Sequence, residues 1–383
     1  MQSPSTQRLF QLSYLRAFVT LLVVIHHTLL AYMTIKPPRY SFTGPTLPWA
    51  AFPIIDSVKW PGFDLLVGWN DIFFMALMFL VSGLFVWPGL KRHSAGMYIR
   101  RRLLRLGLPF VIGAGVLAPL AYYPAYLQCG GEPRLSSYAS AWFTLSIWPA
   151  GPVWFLWVLF VFDCIAVISF KAIPRAVEAM AIRVCAVSKR PMLLFLMLGT
   201  ISLVVYAPMS MRFGSLTWWS WEPFAVQASR VLHYFVYFVM GVCLGAFGTE
   251  TEFFARTGKL ARGWWLWCIR SAAMFTVTIV CVRFGIATGG RIGFAFSCAA
   301  SSLFVMALVI RFARPWRWAD SLSANAYGIY LAHYVFVIWI QYAVLHWSAP
   351  AFVKGLAVSL AAVVMSWMTV ALMRRSKLIA RVV

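Results

Sequence analysis

Tyr14-Leu15-Arg16-Ala17-Phe18-Val19-Thr20-Leu21-Leu22-Val23-Val24-Ile25-His26-His27 opens an apolar run that continues to Ile35. The run from Leu15 to Ile35 has the ~20 residues needed to cross ~30 Å of hydrocarbon as a helix. It is longer than the apolar core of a secretory leader and has no small-x-small cleavage site, so it reads as a first membrane span. Arg16 and His27 are eleven positions apart. At ~3.6 residues per turn that is almost three whole turns, so the two share a helix face, ~16 Å apart along the axis. His26 points about a quarter-turn away.

The remainder of the chain extends this reading. Of its 383 residues, 62% are apolar and 11% are charged, against about half and about a quarter in soluble domains. So few charges cannot clothe a water-soluble surface, and so apolar a chain is not disordered. The apolar runs are continuous rather than alternating in ~10-residue segments, which disfavours an outer-membrane barrel. What remains is an all-α, polytopic transmembrane helical bundle. About ten spans are expected, at 15–35, 71–90, 107–127, 150–171, 192–210, 230–248, 264–284, 292–311, 322–345 and 352–373. With no extramembrane domain, low-complexity tract or clear repeat, residues 1–383 read as a single transmembrane domain.

The net charge of +23 is not a nucleic-acid signal, because the charges sit in short clusters between apolar spans. With the N-terminus inside, 23 of the 33 Lys and Arg fall on inner segments and nine on outer ones, Arg270 lying within a span. That bias places both termini in the cytoplasm. Anionic lipid beside the basic loops, or an anionic ligand, fits this charge. Of the seven cysteines, only Cys129 is expected to face outward, so no structural disulfide is expected. The outer loops, about 36–70, 128–149 and 211–229, are rich in aromatic residues. Such residues anchor a chain at the membrane interface, and their rings also stack on pyranose faces.

Ionisable groups inside a membrane are costly and are functional candidates by default. Arg16 lies near the inner mouth and His27 beyond mid-depth, so both can line one vertical cavity. Arg16 also fits a snorkelling helix-end arginine, and His27 an interhelical hydrogen bond. A metal site at His26 and His27 is disfavoured, because adjacent histidines on a helix point apart and no HExxH or acidic companion accompanies them. Asn70-Asp71 opens the expected second span, as an N-cap, an acceptor contact or a carboxylate orienting a histidine. Ser82-Gly83 offers close approach to a helix or a ligand. Arg100, Arg101, Arg102 and Arg105 cluster on the inner side. Arg102 and Arg105, three apart, share a helix face, and a fork of arginines suits phosphate. A topology signal would place the same residues there. Asp163 and His233 read as structural polar contacts between helices, and His333 lies deep in the ninth span.

Four blocks in order resemble the acyltransferase 3 family of integral membrane acyltransferases. They are Leu15-Arg16 with His27 beyond, FLVSG at Phe79 to Gly83, Arg102-Leu-Leu-Arg105 ahead of Pro109, and Ala326-Tyr327-Gly328-Ile329-Tyr330-Leu331-Ala332-His333. Gly151-Pro152-Val153-Trp154-Phe155-Leu156 resembles a further segment. Ala326 stands where the family usually has serine. Asn70-Asp71 and the proline-rich first loop look closest to glucan-modifying members of the glucans biosynthesis protein C type. No segment resembles the hydrolase-like domain fused to some members, so the membrane domain or a separate partner is expected to complete the transfer.

The resemblance implies transfer of an acyl group, acetyl or succinyl, from cytoplasmic acyl-CoA to a hydroxyl of an extracytoplasmic glycan or glycolipid across a bacterial inner membrane. It implies no permanently bound cofactor, with acyl-CoA as donor and a carbohydrate as acceptor. Arg102 and Arg105, with Arg100 and Arg101, would hold the CoA phosphates. The pantetheine arm would thread past Arg16 toward His27, the general base. Asn70, Asp71, Ser82, Tyr327 and His333 would lie along the substrate path, with His333 available for a relay. The rival class is a transporter or flippase of a glycan or lipid precursor. Against it stand the absence of an inverted pair of broken helices and the scarcity of intramembrane carboxylates.

Overall fold

Helices account for 78% of the chain, and the arrangement of sixteen of them decides where the polar groups of the spans meet. A computed structural model describes residues 4–34, 41–44, 47–248 and 251–376, with side chains from Phe10 onward. Ile35, at the end of the expected first span, lies outside the described residues. So do Lys36, Arg39, Lys377 and Arg381 of the charge bias. The α-helices are α1 (Pro4–Leu29), α2 (Pro61–Gly83), α3 (Val86–Arg92), α4 (Ala95–Arg102), α5 (Leu108–Ile112), α6 (Ala118–Gln128), α7 (Leu135–Phe143) and α8 (Trp154–Ala172). There follow α9 (Pro174–Ser188), α10 (Pro191–Phe213), the strands β1 (Trp218–Trp221) and β2 (Phe224–Gln227), α11 (Val231–Gly245) and α12 (Lys259–Arg262). The chain closes with α13 (Trp264–Arg283), α14 (Ala287–Phe312), α15 (Arg317–Ala343) and α16 (Ala351–Met373).

Among the described residues, eight helical stretches are long and apolar enough to cross a membrane. They coincide with eight of the ten expected positions. The other two are helical but differ in kind: α11 is apolar and only 15 residues long. The 27-residue α15 carries Tyr327, Tyr330, His333, Tyr334 and Gln341 along its length and is not among the eight.

Two boundaries move. The second helix begins at Pro61 rather than residue 71, because proline pre-sets the backbone at the first helical position and lacks only an N–H that would be unbonded there. Asn70 and Asp71 are therefore interior to α2, and the N-cap reading is overturned. The third span starts at Ala95 and runs unbroken to Gln128, taking in the arginine cluster. Its path contains two π-helical turns, Leu103–Gly107 and Gly113–Leu117. Each leads up to a proline, Pro109 or Pro119. A proline ring clashes with the carbonyl four residues back, and the wider i→i+5 turn gives it room.

Packing in the centre is set by glycine. A Cβ on Gly83 would lie 2.2 Å from the Phe238 carbonyl oxygen, and one on Gly241 would lie 1.9 Å from that of Leu80. The α2 and α11 backbones touch there, as small residues permit between membrane helices. Gly83 is thus a helix-packing point. α1 packs against α2, α15 and α16 and is tied to them by side chains. Tyr14 Oη bonds the Asp320 carboxylate, Asn70 Nδ2 donates to Leu22 O at 3.1 Å, and Gln341 Nε2 donates to His27 O at 3.1 Å and Thr28 O at 2.8 Å.

The described part of the first outer loop folds inward. Phe42 and Trp49 stack at 4.3 Å within a cluster that includes Tyr122, Tyr126 and Tyr138, and Trp49 is completely buried. Lys354 Nζ, expected in an outer segment, is buried and bonds Asp56 at 2.8 Å and Leu345 O at 3.0 Å. That pair fastens the loop to α16. The 211–229 loop forms the antiparallel β1–β2 hairpin, with Trp218 opposite Gln227.

Candidate active site

His27 sits in the last two turns of α1 and meets α15 across a 306-residue separation in sequence. Its Nδ1 is 2.8 Å from Val23 O and 3.2 Å from His333 Nε2. His333 Nδ1 in turn is 2.6 Å from Tyr330 O. A carbonyl oxygen only accepts, so each Nδ1 facing one carries the hydrogen. The neighbours thus assign the tautomers. His333 Nε2 then holds a lone pair and accepts from His27, and His27 Nε2 keeps its own lone pair. The Tyr334 ring stands edge-on to His27 at 5.1 Å, and Tyr334 Oη is 3.2 Å from Tyr122 Oη. The His27 imidazole is thereby held by α1, α15 and α6.

His27 lines a cleft of about 110 Å³, together with His26, Asp71, Trp154, Trp218 and Gln227. Three of its walls come from segments far apart in sequence. Asp71 pairs with the buried Arg230 at 2.7 Å, and a second Arg230 nitrogen donates to Asp71 O at 2.9 Å. The Arg230 guanidinium also lies 4.9 Å from the Phe294 ring centre. Asp71 is therefore a paired carboxylate beside His26, within electrostatic reach of it. His26 stacks on Phe74 at 4.9 Å, and its Nδ1 is buried with no hydrogen-bond partner among the described residues. Trp218 stands edge-on to Trp154 at 5.4 Å and brings the hairpin over the mouth.

Arg16 lies on the same continuous helix as His27, toward the opposite end of the molecule. Its guanidinium is 6.0 Å from the Phe85 ring centre and the residue is exposed. Arg102 and Arg105 are near enough for their charges to act on Arg16, and Tyr327 lies close to all three. The arginine fork nonetheless divides. Arg102 Nε donates to Tyr98 Oη at 2.9 Å and lies 3.1 Å from Asp163, while Tyr98 Oη donates to Asp163 at 2.7 Å. Arg105, in the π-helical turn, is exposed, and its backbone carbonyl accepts from Tyr327 Oη. Arg100 and Arg101 are exposed as well. Asp163 is the partner of Arg102, and His233 bonds the Ser202 hydroxyl; both fit the structural contacts expected of them.

The Arg16–His27 face, the arginine run at 100–105 and the Tyr327–His333 stretch of α15 thus form one file along the bundle. A family model described as an acyltransferase domain matches residues 9–371. The chain belongs to the acyltransferase 3 family. No curated protein and no solved structure matches it. For this acyltransferase, the structure brings His333 and Asp71 to the same cleft region as His27 and Tyr327 to the arginine end. Asn70 forms a bond from α2 to α1.

Sequence reasoning missed Trp218 and Gln227, whose hairpin carries little strand signal amid aromatic loop residues. It also missed Arg230 as the partner of Asp71 and Gln341 as the group holding the end of α1. A lone glutamine eight residues past His333 was the available signal for the latter. Among the described residues, no group of three His, Cys, Asp or Glu is placed to hold a metal ion.

Proposed function

We propose that this acyltransferase moves an acyl group, acetyl or succinyl, from acyl-CoA to a hydroxyl of a glycan, with His27 as general base. The observation that carries the proposal is the hydrogen-bond pattern of His27. Its Nδ1 faces the Val23 carbonyl and His333, which leaves the Nε2 lone pair on an imidazole that lines a cleft. A sugar hydroxyl is a weak nucleophile until a base takes its proton, a contribution worth about 10²–10⁴ in rate. The hydroxyl oxygen attacks the thioester carbonyl carbon as its proton passes to His27 Nε2. The carbon–sulfur bond breaks, and the departing thiolate takes the proton from the imidazolium. An ester and free CoA result, with His27 restored.

The cleft's Trp218 and Trp154 rings suit a pyranose, with Asp71, Gln227 and His26 offering polar contacts. A glucan is the acceptor to test first. At the other end, Arg105, Arg16, Arg100 and Arg101 suit the phosphates of CoA, and Tyr327 lies beside them. Arg102 contributes to that field while bound to Asp163. In this reading the arginine end and both termini face the cytoplasm of a bacterium, the chain resides in the inner membrane, and the acceptor enters from the far side.

The test uses purified protein in detergent with radiolabelled acetyl-CoA or succinyl-CoA and an oligoglucan. Labelled ester on the glycan from wild type, lost in His27→Ala with unfolding temperature unchanged, is the expected result. Wild-type activity in His27→Ala would remove histidine from the reaction. Uptake of glycan into vesicles with no ester formed would favour a carrier.

A further inference from the structure

A second cavity opens on the flank of the bundle, away from the histidines. It measures about 580 Å³ and lies between the third helical run, α15 and α16, with Leu108, Ile112, Leu331, Phe336, Val370 and Met373 among its walls. Thr369 brings the only side-chain polar atom to the lining. Ile112 is 45% exposed and Met373 47%, so the groove faces outward over two stretches apolar enough to span a membrane. Hydrocarbon is the medium at that surface.

One end of the groove is charged. Arg374 follows Met373 directly. Its Nη1 bonds Asn325 Oδ1 at 3.1 Å and the Ala324 carbonyl, which fixes the guanidinium against α15 one turn before the lining residue Gly328. Tyr327, next to Gly328, bonds the Arg105 backbone. Both arginines are thus tied to the same turn of α15, where the apolar wall ends, and Arg375 beyond them is exposed. An apolar slot ending in guanidinium groups complements a hydrocarbon chain carrying a phosphate.

We propose that this groove is a binding site for an anionic phospholipid of the surrounding bilayer, one acyl chain lying in the slot and the headgroup phosphate meeting Arg374. The site is separate from the His27 cleft and does not depend on the transfer reaction. A basic group next to the lipid surface favours anionic over zwitterionic lipid by about fivefold.

The experiment is native mass spectrometry of the delipidated full chain in detergent, with equal amounts of phosphatidylglycerol and phosphatidylcholine. Wild type should retain phosphatidylglycerol about fivefold over phosphatidylcholine. Ile112→Trp, which fills the slot from an exposed position, should retain little of either. Arg374→Gln should hold both about equally. Equal retention of the two lipids by wild type, or undiminished retention by Ile112→Trp, would overturn the site. Should either variant fail to fold, the unfolding temperature of wild type decides. A rise with phosphatidylglycerol greater than with phosphatidylcholine supports the site, and equal rises refute it.

Discussion

Two histidines of this bundle are held inside it in different ways. His233 is wholly enclosed. Its Nδ1 meets the Ser202 hydroxyl, and Tyr237, Phe294 and Tyr206 surround the ring at 5.0, 5.4 and 5.9 Å. Its Nε2 is buried with no hydrogen-bond partner among the described residues. His27 spends one nitrogen on Val23 and His333 and stands at a cleft. The difference teaches that an imidazole among membrane helices is chemically available only when a nitrogen reaches space a second molecule can occupy. Cost of burial alone does not separate the two.

The comparison breaks most sharply by substitution. His27→Ala should lower the transfer rate by about 10²–10⁴, the range for losing a general base, with little change in unfolding temperature. His233→Ala should do the reverse, keeping the rate per folded molecule and destabilising by about 1–3 kcal/mol, since the Ser202 hydroxyl loses its buried partner. Rate assays beside thermal unfolding in detergent separate the two. A rate collapse in His233→Ala with stability intact would erase the distinction.

The arginine end admits the same kind of contrast at smaller scale. Asp163→Ala strips the carboxylate from Arg102 and should destabilise by about 3 kcal/mol, as removal of one member of a buried pair does. Arg105→Ala should leave stability unchanged and raise the donor KM about tenfold, one lost charge-assisted contact. A fall in unfolding temperature for Arg105→Ala would make it structural too. Next in size, Gln341→Leu frees the carbonyls of His27 and Thr28 and should cost about 1 kcal/mol of stability, with a several-fold loss in kcat from a less fixed His27. Smallest, Trp218→Ala should raise the acceptor KM a few-fold and leave the donor KM alone. A donor effect would move the hairpin out of the acceptor path.

How far the sequence could be read follows from which relations are local. Arg16 and His27 lie on one helix, so their spacing alone placed them on one face, and the continuous α1 preserves that. Gly83 packs as small residues do, although only the structure names Gly241 as its partner. Relations across the bundle were closed to such reasoning. Nothing in residues 27 and 333 announces a 3.2 Å contact, and nothing in Asp71 announces Arg230. The arginine pair is a subtler case. Residues three apart share a face on an α-helix, but Arg105 stands in a π-helical turn, and Asp163 pairs with Arg102. Prolines at Pro109 and Pro119 were visible, but whether a helix answers a proline by ending or by widening depends on what packs around it. Asn70-Asp71 misled because polar residues beside an apolar run look like a helix start, while the true start is marked by Pro61.

The bonds that hold α1 to α15 have a mechanical consequence. Tyr14 grips Asp320 near one end of the pair, and Gln341 grips the His27 and Thr28 carbonyls near the other. Two staves riveted top and bottom neither rock nor splay without breaking both fastenings. His27, carried on the fastened pair, therefore keeps a set position beside its cleft.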